Sequence, residues 1–310
     1  MTRTIFAISL LCFSLGSCQS EVAVAGAEPI KALILDGQSS IYHSDWEERT
    51  ELMKSILDGS GLFTVDVATS PAIGEDNIDF QPVFSDYDVV VVNYEGDYWS
   101  AATQTAFEEY VAGGGGFVSV HATDNAFPDW TEFNRMIGVG GWGRRAEENG
   151  YPIRPRDESD GPYLRLRDGE WIRDSETPGR AGSHGRRHEF KMEVQTPDHP
   201  ITAGLPPTWL NVEDELYDQM RGPAQNVTVL VAAYSDPETR GTGEYEPILM
   251  AISYGDGRVF HTTQGHSPLA HSGVGFITTF LRGVEWAATG AVTQEVPADF
   301  PTAGASSVRQ

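Results

Sequence analysis

Tyr87-Asp-Val-Val-Val-Val-Asn93 and Phe117-Val-Ser-Val-His121 are two short apolar runs, and each ends in a polar residue. Apolar side chains occupy both faces of these runs, which is typical of strands in a parallel sheet covered by helices on both sides. The intervening sequence predicts a helix over residues 101–111, with Ser100 as its N-cap and a run of glycines at 113–116 as its end. Together these segments predict a strand–helix–strand unit.

The same alternation continues on both sides of this unit. Upstream, strands are predicted at 31–36 and 63–68, with a helix over 46–57 between them. Downstream, the sequence predicts strands at 190–194, 227–234, 247–253 and 258–263, and a closing helix over 275–288. Strands alternating with helices predict an α/β fold built on a doubly wound, mainly parallel sheet. Residues 139–187 show little periodicity, and a long irregular loop is usually functional or disordered.

The composition excludes several functional classes. The chain has 310 residues and a formal net charge of −24, which argues against general nucleic-acid binding because phosphate contacts need a positive surface. Its two cysteines, Cys12 and Cys18, both lie within the first twenty residues. The rest of the chain therefore offers no disulfide, no cysteine–zinc site and no thiolate nucleophile.

The N-terminus predicts export to the cell envelope. Residues 1–17 read as a signal peptide, because Arg3 precedes an apolar stretch too short to span a membrane. Leu15-Gly-Ser-Cys18 then resembles a bacterial lipobox, which predicts cleavage before Cys18 and lipidation of its sulfur. Ordinary signal cleavage with an incidental Cys18 is the alternative.

This interpretation divides the chain into four parts. Residues 18–29 would be a lipidated tether, 30–290 the folded domain and 291–310 a flexible tail rich in Pro and Ala. The expected partner is the outer or inner membrane, with the domain facing the periplasm or the exterior. Gln19 and Ser20 favour the outer membrane by resemblance to Gram-negative lipoproteins.

Polar side chains follow the predicted strands at their carboxyl ends. Ligands of open α/β sheets bind at this edge, so we expect these side chains to converge there. The residues that follow the first, third, fourth and last strands of the predicted sheet are Asp36, Gln38 and His43; Asn93 and Glu95; His121 and Asp124; and Gln264 and His266.

Each of these residues also has a structural interpretation. His121 can be a buried histidine with satisfied hydrogen bonds, Asp124 can be an N-cap, and His261, within a strand, is assigned a structural role. A divalent metal is a possible cofactor, because His184 and His188 are four residues apart, although Gly182 and Gly185 make a helix there improbable. Nucleotide-binding glycine motifs and a serine-hydrolase elbow are absent from the sequence.

The order of the longer motifs resembles the ThuA-like (trehalose-utilisation) family over about residues 30–290. The motifs are Asp36-Gly-Gln38, His43 with Asp45-Trp46, the segments 87–93 and 114–130, Gly182-Ser-His-Gly185 with His188-Glu-Phe190, Asp214-Glu-Leu-Tyr217 and the segment 257–266. The resemblance implies a flavodoxin-like three-layer sandwich similar to class I glutamine amidotransferases, and a role in sugar metabolism. Those amidotransferases carry a cysteine in the turn after a central strand. His121 or a neighbour stands there in this chain, which excludes amidotransferase chemistry.

The family's association with 3-keto sugars suggests an enzyme that cleaves or converts oxidised glycosides or disaccharides by histidine-based acid–base chemistry. In this hypothesis His121 is the base, Asp124 orients it or binds hydroxyls, and His266 and His43 serve as acid and enolate stabiliser. The candidate substrate contacts are Trp142, Arg144, Arg145, His184, Glu215 and Gln264, with His184, His188 and Glu215 also considered for a metal site.

Two alternatives involve no catalysis. A carbohydrate-binding lipoprotein of a sugar-utilisation system would use similar aromatic and carboxylate side chains. A membrane-anchored scaffold domain predicts instead that His43, His121 and His266 are scattered. The number of histidines at one predicted edge favours catalysis over binding, since neutral sugars rarely need several imidazoles.

Overall fold

The computed structural model describes residues 28–141 and 157–309. Trp142, Arg144, Arg145 and Cys18, for which the sequence predicts roles, lie outside the described residues, as does the predicted signal peptide. The described helices are α1 (Trp46–Gly59), α2 (Ala101–Ala112), α3 (Thr131–Ile137), α4 (Pro268–Ser272) and α5 (Val274–Thr289). The described strands are β1 (Ile30–Asp36), β2 (Phe63–Thr69), β3 (Val89–Val92), β4 (Gly116–Val120), β5 (Tyr163–Arg167), β6 (Glu170–Asp174), β7 (Ser183–His184), β8 (Lys191–Val194), β9 (Thr208–Leu210), β10 (Tyr217–Asp218), β11 (Val227–Tyr234), β12 (Tyr245–Tyr254) and β13 (Gly257–Thr262).

Nine strands form one sheet in the order β2-β1-β3-β4-β13-β12-β11-β8-β9. The first five are parallel, as the sequence predicts, and the α/β fold class is confirmed. The remaining strands extend the sheet by antiparallel pairing. A two-residue turn between β12 and β13 explains the change, because only an antiparallel pair can be joined by so short a connection.

Helices cover both faces of the sheet. On one face, Met53 and Leu57 of α1 and Phe280 of α5 pack in a cluster with Ile34 of β1. On the other face, α2 and α3 pack against the opposite side chains of the same strands, with Phe107 in contact with the core of that face. The four residues of β3 are completely buried, which accounts for their uninterrupted apolar sequence.

Local signals account for individual elements. Ser100 caps α2 as predicted, since its hydroxyl accepts the backbone N–H of Thr103.

The segment 139–187, predicted as an irregular loop, contains the β5–β6 hairpin in its described part. Asp168 and Gly169 form its turn with positive φ angles of 53° and 84°.

The C-terminal segment differs from the expected flexible tail. Phe300 packs against Trp209 with ring centroids 5.3 Å apart, and the Thr302 carbonyl accepts the backbone N–H of Leu210. Arg309 pairs with Asp299 at 2.7 Å. These contacts hold the segment on the domain, although its Pro- and Ala-rich composition predicts a frayed end.

Among the residues that the structure describes, no helix combines the length and the apolar character needed to cross a membrane. The parallel strands β1, β3, β4 and β13 are neighbours, so their carboxyl ends lie side by side at one edge. The segments that leave this edge carry the candidate site.

Candidate functional site

Three imidazoles meet at the carboxyl edge of the parallel strands. His43 lies in the turn after β1, His121 directly follows β4, and His266 follows β13. Their ring centroids are 5.0 Å apart for His43 and His121, 5.2 Å for His43 and His266, and 5.3 Å for His121 and His266. The fold thus brings together residues that are as many as 223 positions apart in sequence.

His121 occupies a sharp turn. Its φ is +40°, in the left-handed region that a non-glycine residue rarely adopts, and it begins a single-turn 3-10 helix, His121–Asn125. Such a conformation costs on the order of 1–3 kcal/mol and is retained mainly at functional sites. The turn points the imidazole of a fully buried strand end towards the other histidines.

Hydrogen bonding fixes the tautomer of His121. Its Nδ1 lies 2.7 Å from the Thr263 carbonyl oxygen, which only accepts, so Nδ1 carries the proton. The lone pair is therefore on Nε2, which lies 3.3 Å from Nδ1 of His266. Burial, and after it the neighbouring His43 and His266, hold the pKa of His121 well below its usual range, so the ring is neutral near pH 7.

A carboxylate orients His43 in the same way. Nδ1 of His43 lies 2.7 Å from Oε2 of Glu95, which also accepts a hydrogen bond from Ser40 at 3.0 Å. Nε2 of His43 then faces the cluster, 3.3 Å from the Tyr217 hydroxyl. Glu95 lies in the segment after β3, so a fourth parallel strand end contributes to the site.

Glu215 links the buried imidazoles to the exposed side of the site. Its Oε2 lies 3.2 Å from Nδ1 of His266, 3.9 Å from Nε2 of His121 and 3.7 Å from Nε2 of His184. The side chains of His121, Glu215 and His184 are 1%, 10% and 46% exposed, respectively. Burial alone would raise the pKa of Glu215, but the hydrogen bond to His266 and the neighbouring imidazoles outweigh it and lower the pKa.

Asp214 and Arg49 hold the loops that carry these side chains. The Asp214 carboxylate accepts the backbone N–H groups of Gly265, His266 and Glu215 at 2.9, 3.1 and 2.9 Å, and burial raises its pKa to about 6. Arg49 donates to the carbonyls of His43 and His266 at 3.1 and 3.2 Å. Both side chains are buried beneath the cluster and fix its backbone.

Sequence reasoning gave Tyr217 no role, although it ends one of the quoted motifs. Its ring lies 4.3 Å from that of His121 and 6.1 Å from that of His184, and it is nearly fully buried. Burial, and after it the charge of Glu215, raise the pKa of its hydroxyl well above its usual value. Tyr217 is therefore a neutral wall of the site.

Several predicted site residues lie elsewhere. Asp124 is hydrogen-bonded to His261, and both side chains are completely buried, so Asp124 does not orient His121. Gln264 is also buried, and its amide donates to Asn211 at 2.8 Å instead of facing a ligand. In both cases the side chain satisfies a polar partner inside the fold.

His184 and His188, the pair suggested for a metal, do not converge with each other. Nδ1 of His188 donates to the Arg186 carbonyl at 2.7 Å, and His188 does not belong to the group of converging ligands. That group is His43, His121, Glu215 and His266, whose ligand atoms all lie within 4.8 Å of one another. His184, at the end of strand β7, borders it through Glu215.

Comparisons with known proteins agree with this architecture. A family model described as "Trehalose utilisation" (ThuA) matches residues 31–287. A ThuA-like protein from Parabacteroides merdae ATCC 43184 is 44% identical, superposes with a TM-score of 0.84, and aligns over 91% of this chain and 98% of its own. A ThuA-like protein from Bacteroides uniformis ATCC 8492 is 19% identical, with a TM-score of 0.57 over 88% of this chain and 97% of its own, and shares the fold. No curated protein matches.

Proposed function

This chain belongs to the trehalose-utilisation (ThuA) family, and we propose that it is an enzyme that cleaves or converts an oxidised carbohydrate, a 3-keto glycoside or disaccharide. Family membership supports a carbohydrate-related role. The observation that carries the enzymatic proposal is the convergence of three imidazoles and Glu215 within 4.8 Å at the ligand-binding edge of the sheet. A site that only bound a neutral sugar would have little use for so many titratable groups.

The chemistry needs a base, an acid and a stabiliser of negative charge. A ketone at sugar C3 acidifies the hydrogen on C2. When a base removes that proton, the electron pair forms a C1–C2 double bond and the bond from C1 to the leaving oxygen breaks. The leaving oxygen takes a proton, and addition of water to the double bond completes the cleavage.

Glu215 is the best-placed base. The sequence suggested His121, but that imidazole is 1% exposed, and its Nε2 faces His266 and Glu215 instead of the open side. The Glu215 side chain is 10% exposed and lies next to His184, which is 46% exposed, and the lowered pKa of its carboxyl keeps it ionised at neutral pH. Carboxylates remove a proton next to a carbonyl in the same way in triosephosphate isomerase and ketosteroid isomerase.

The remaining roles follow from position. We assign His184, which lies 3.7 Å from Glu215 and is 46% exposed, the role of protonating the leaving oxygen. The developing enolate needs positive charge beside it, and the cluster of His43, His121 and His266 is where a proton or a metal ion can be held.

The test is incubation of the purified protein in D2O with a 3-keto glycoside and, separately, with its parent glycoside. We expect cleavage of the keto form alone, with deuterium appearing at C2 of the released keto sugar. Glu215→Gln keeps the shape of the side chain and is expected to lower turnover by about 10²–10⁴-fold.

Other outcomes would redirect the proposal. Equal cleavage of the parent glycoside would contradict the keto-sugar mechanism, because the parent lacks the acidified C2 hydrogen. Saturable sugar binding without turnover of either compound would favour the non-catalytic carbohydrate-binding lipoprotein.

The cellular site is also a proposal. We place the domain at the cell envelope, anchored through a lipid on Cys18 and facing the periplasm or the exterior. The support is the lipobox-like sequence Leu15-Gly-Ser-Cys18 behind an apolar stretch.

A further inference from the structure

The cluster presents an unusual surplus of hydrogen-bond acceptors. His121 donates through Nδ1 to a carbonyl and His43 faces Glu95 through Nδ1, so the Nε2 atoms that they turn inward carry lone pairs. Oε2 of Glu215 is a further acceptor. Two donors face these acceptors. A proton on Nδ1 of His266 can be donated to His121 or to Glu215, and the Tyr217 hydroxyl, 3.3 Å from Nε2 of His43, can donate to that nitrogen. A cation between the four ligand atoms would serve all of them at once.

The spacing suits a tetrahedral ion. Two ligands bound at about 2.0–2.1 Å in a tetrahedron are about 3.3 Å apart. Nε2 of His121 and Nδ1 of His266 are 3.3 Å apart, and Nδ1 of His266 and Oε2 of Glu215 are 3.2 Å apart. The distance from Glu215 to His121 is 3.9 Å, longer than this spacing, and all four ligand atoms lie within 4.8 Å of one another.

The outer partners are those of a metal centre. Histidine ligands of metals usually donate their second ring N–H to a carboxylate or a backbone carbonyl, which fixes the tautomer and the ring orientation. His43 has Glu95 in this position, and His121 has the Thr263 carbonyl. Asp214 holds the backbone of both His266 and Glu215.

The charges around the cluster leave room for a divalent ion. Glu95 and Glu215 face it as carboxylates, Asp214 lies beneath it, and Arg49 adds one positive charge that lies 3.5 Å from Asp45. A set of three imidazoles and one carboxylate suits zinc and similar transition metals, whereas magnesium and calcium prefer oxygen ligands.

We propose that His43, His121 and His266 bind one divalent transition-metal ion of the zinc type, with Glu215 at its fourth position. The carboxylate can then give up its position at the ion to a substrate oxygen and act on the substrate, as in catalytic sites with three protein ligands. Only this catalytic role rests on the proposed function, since binding of the ion follows from the geometry of the cluster.

The experiment measures the ion directly. Metal content of the purified protein is determined by elemental analysis, and chelator-treated protein is titrated with Zn²⁺ by calorimetry and with Co²⁺ by visible absorption. We expect one ion per chain, a tetrahedral Co²⁺ spectrum, and an affinity lowered about a hundredfold or more in His43→Ala, His121→Ala and His266→Ala. Glu95→Gln, which weakens the contact that orients His43, is expected to lower the affinity by about 10–100-fold.

His188→Ala is the matched control, because His188 is a histidine outside the converging group. Its metal content should equal that of the wild type. The wild-type titration decides the question even where a histidine variant fails to fold. Absence of a stoichiometric ion in the wild type, or equal affinity in the folded His43→Ala and His188→Ala variants, would overturn the proposal.

The two proposals fail separately. Turnover of the keto glycoside by protein freed of metal would remove the role of the ion and leave the proposed function intact. A stoichiometric ion without any turnover would establish the metal site and remove the proposed reaction.

Discussion

His121 joins backbone strain to side-chain chemistry in a single residue. Its positive φ follows directly from the end of β4, and its ring is held by the Thr263 carbonyl. The strain belongs to the backbone, whereas the contacts to His266 and Glu215 belong to the imidazole. Substitutions can therefore separate the two contributions.

We expect His121→Gly to be more stable than His121→Ala by about 1 kcal/mol, because glycine adopts the left-handed region without the penalty that a Cβ imposes. Both variants remove the imidazole and should lose the function of the site equally. Denaturant unfolding of the pair measures the difference. An alanine variant as stable as the glycine variant would show that the turn relaxes and stores no strain.

The position of a residue after a parallel strand predicts that it belongs to the site, but it does not predict the role of the side chain. His43, His121 and His266 were identified because they follow neighbouring parallel strands, and topology alone brings such positions together. The direction in which a side chain points cannot be predicted from its position after a strand. Asp124 faces His261 inside the fold, and Gln264 faces Asn211, since each satisfies a buried polar partner that lies far away in sequence.

At the scale of elements, the parallel half of the sheet was predictable and the antiparallel half was not. β3 and β4 are apolar on both faces, and that pattern indicates burial between two helical layers. The sequence predicts strands at 247–253 and 258–263, but only the longer strands of the structure leave the two-residue connection that requires antiparallel pairing of β12 and β13. The two-residue strands β7 and β10, which carry His184 and Tyr217, are too short to leave a periodic pattern.

The short helix α4 carries a histidine whose burial predicts a pH dependence of stability. His271 packs against Phe276, and Nδ1 donates to the Ser267 carbonyl. Burial lowers its pKa to about 4; the Ser267 bond opposes this shift, Arg49 adds to it, and Asp45 opposes it. Since the unfolded chain binds a proton near pH 6.5, the contribution of His271 is complete above that pH and is lost as the pH falls towards 4.

His271→Phe removes this titration and keeps an aromatic ring beside Phe276. We expect the free energy of unfolding of the wild type, relative to His271→Phe, to fall by about 2–3 kcal/mol between pH 7 and pH 4. Urea unfolding of both proteins at several pH values checks the sign. Parallel pH profiles for the two proteins would show that His271 remains protonatable in the fold.

At the scale of the whole molecule, the C-terminal segment completes the domain. Phe300 packs against Trp209, and the Thr302 carbonyl accepts the backbone N–H of Leu210. Residues of the C-terminal segment thus pack on β9, the antiparallel strand at the edge of the sheet. Composition suggested a frayed tail because Pro and Ala residues give no periodic pattern. One aromatic residue and a few backbone hydrogen bonds were enough to reverse that expectation.

The proposed attachment of the domain to a membrane rests on the N-terminal sequence alone. The proposed anchor is a lipid on Cys18, in the lipobox-like sequence Leu15-Gly-Ser-Cys18. A single acyl chain binds a membrane only marginally, whereas two or more chains give stable attachment. A diacylated Cys18 therefore predicts firm retention in the membrane fraction.

Cys18→Ser removes the sulfur that would carry the lipid and leaves the folded domain unchanged. We expect the wild type to sediment with membranes and to require detergent for release, and the serine variant to appear in the aqueous fraction with the same melting temperature. Cys12→Ser is the matched control, because Cys12 lies in the apolar stretch of the predicted signal peptide. Membrane retention of Cys18→Ser would contradict lipidation at this position, whereas release of both variants would point to a general defect in export.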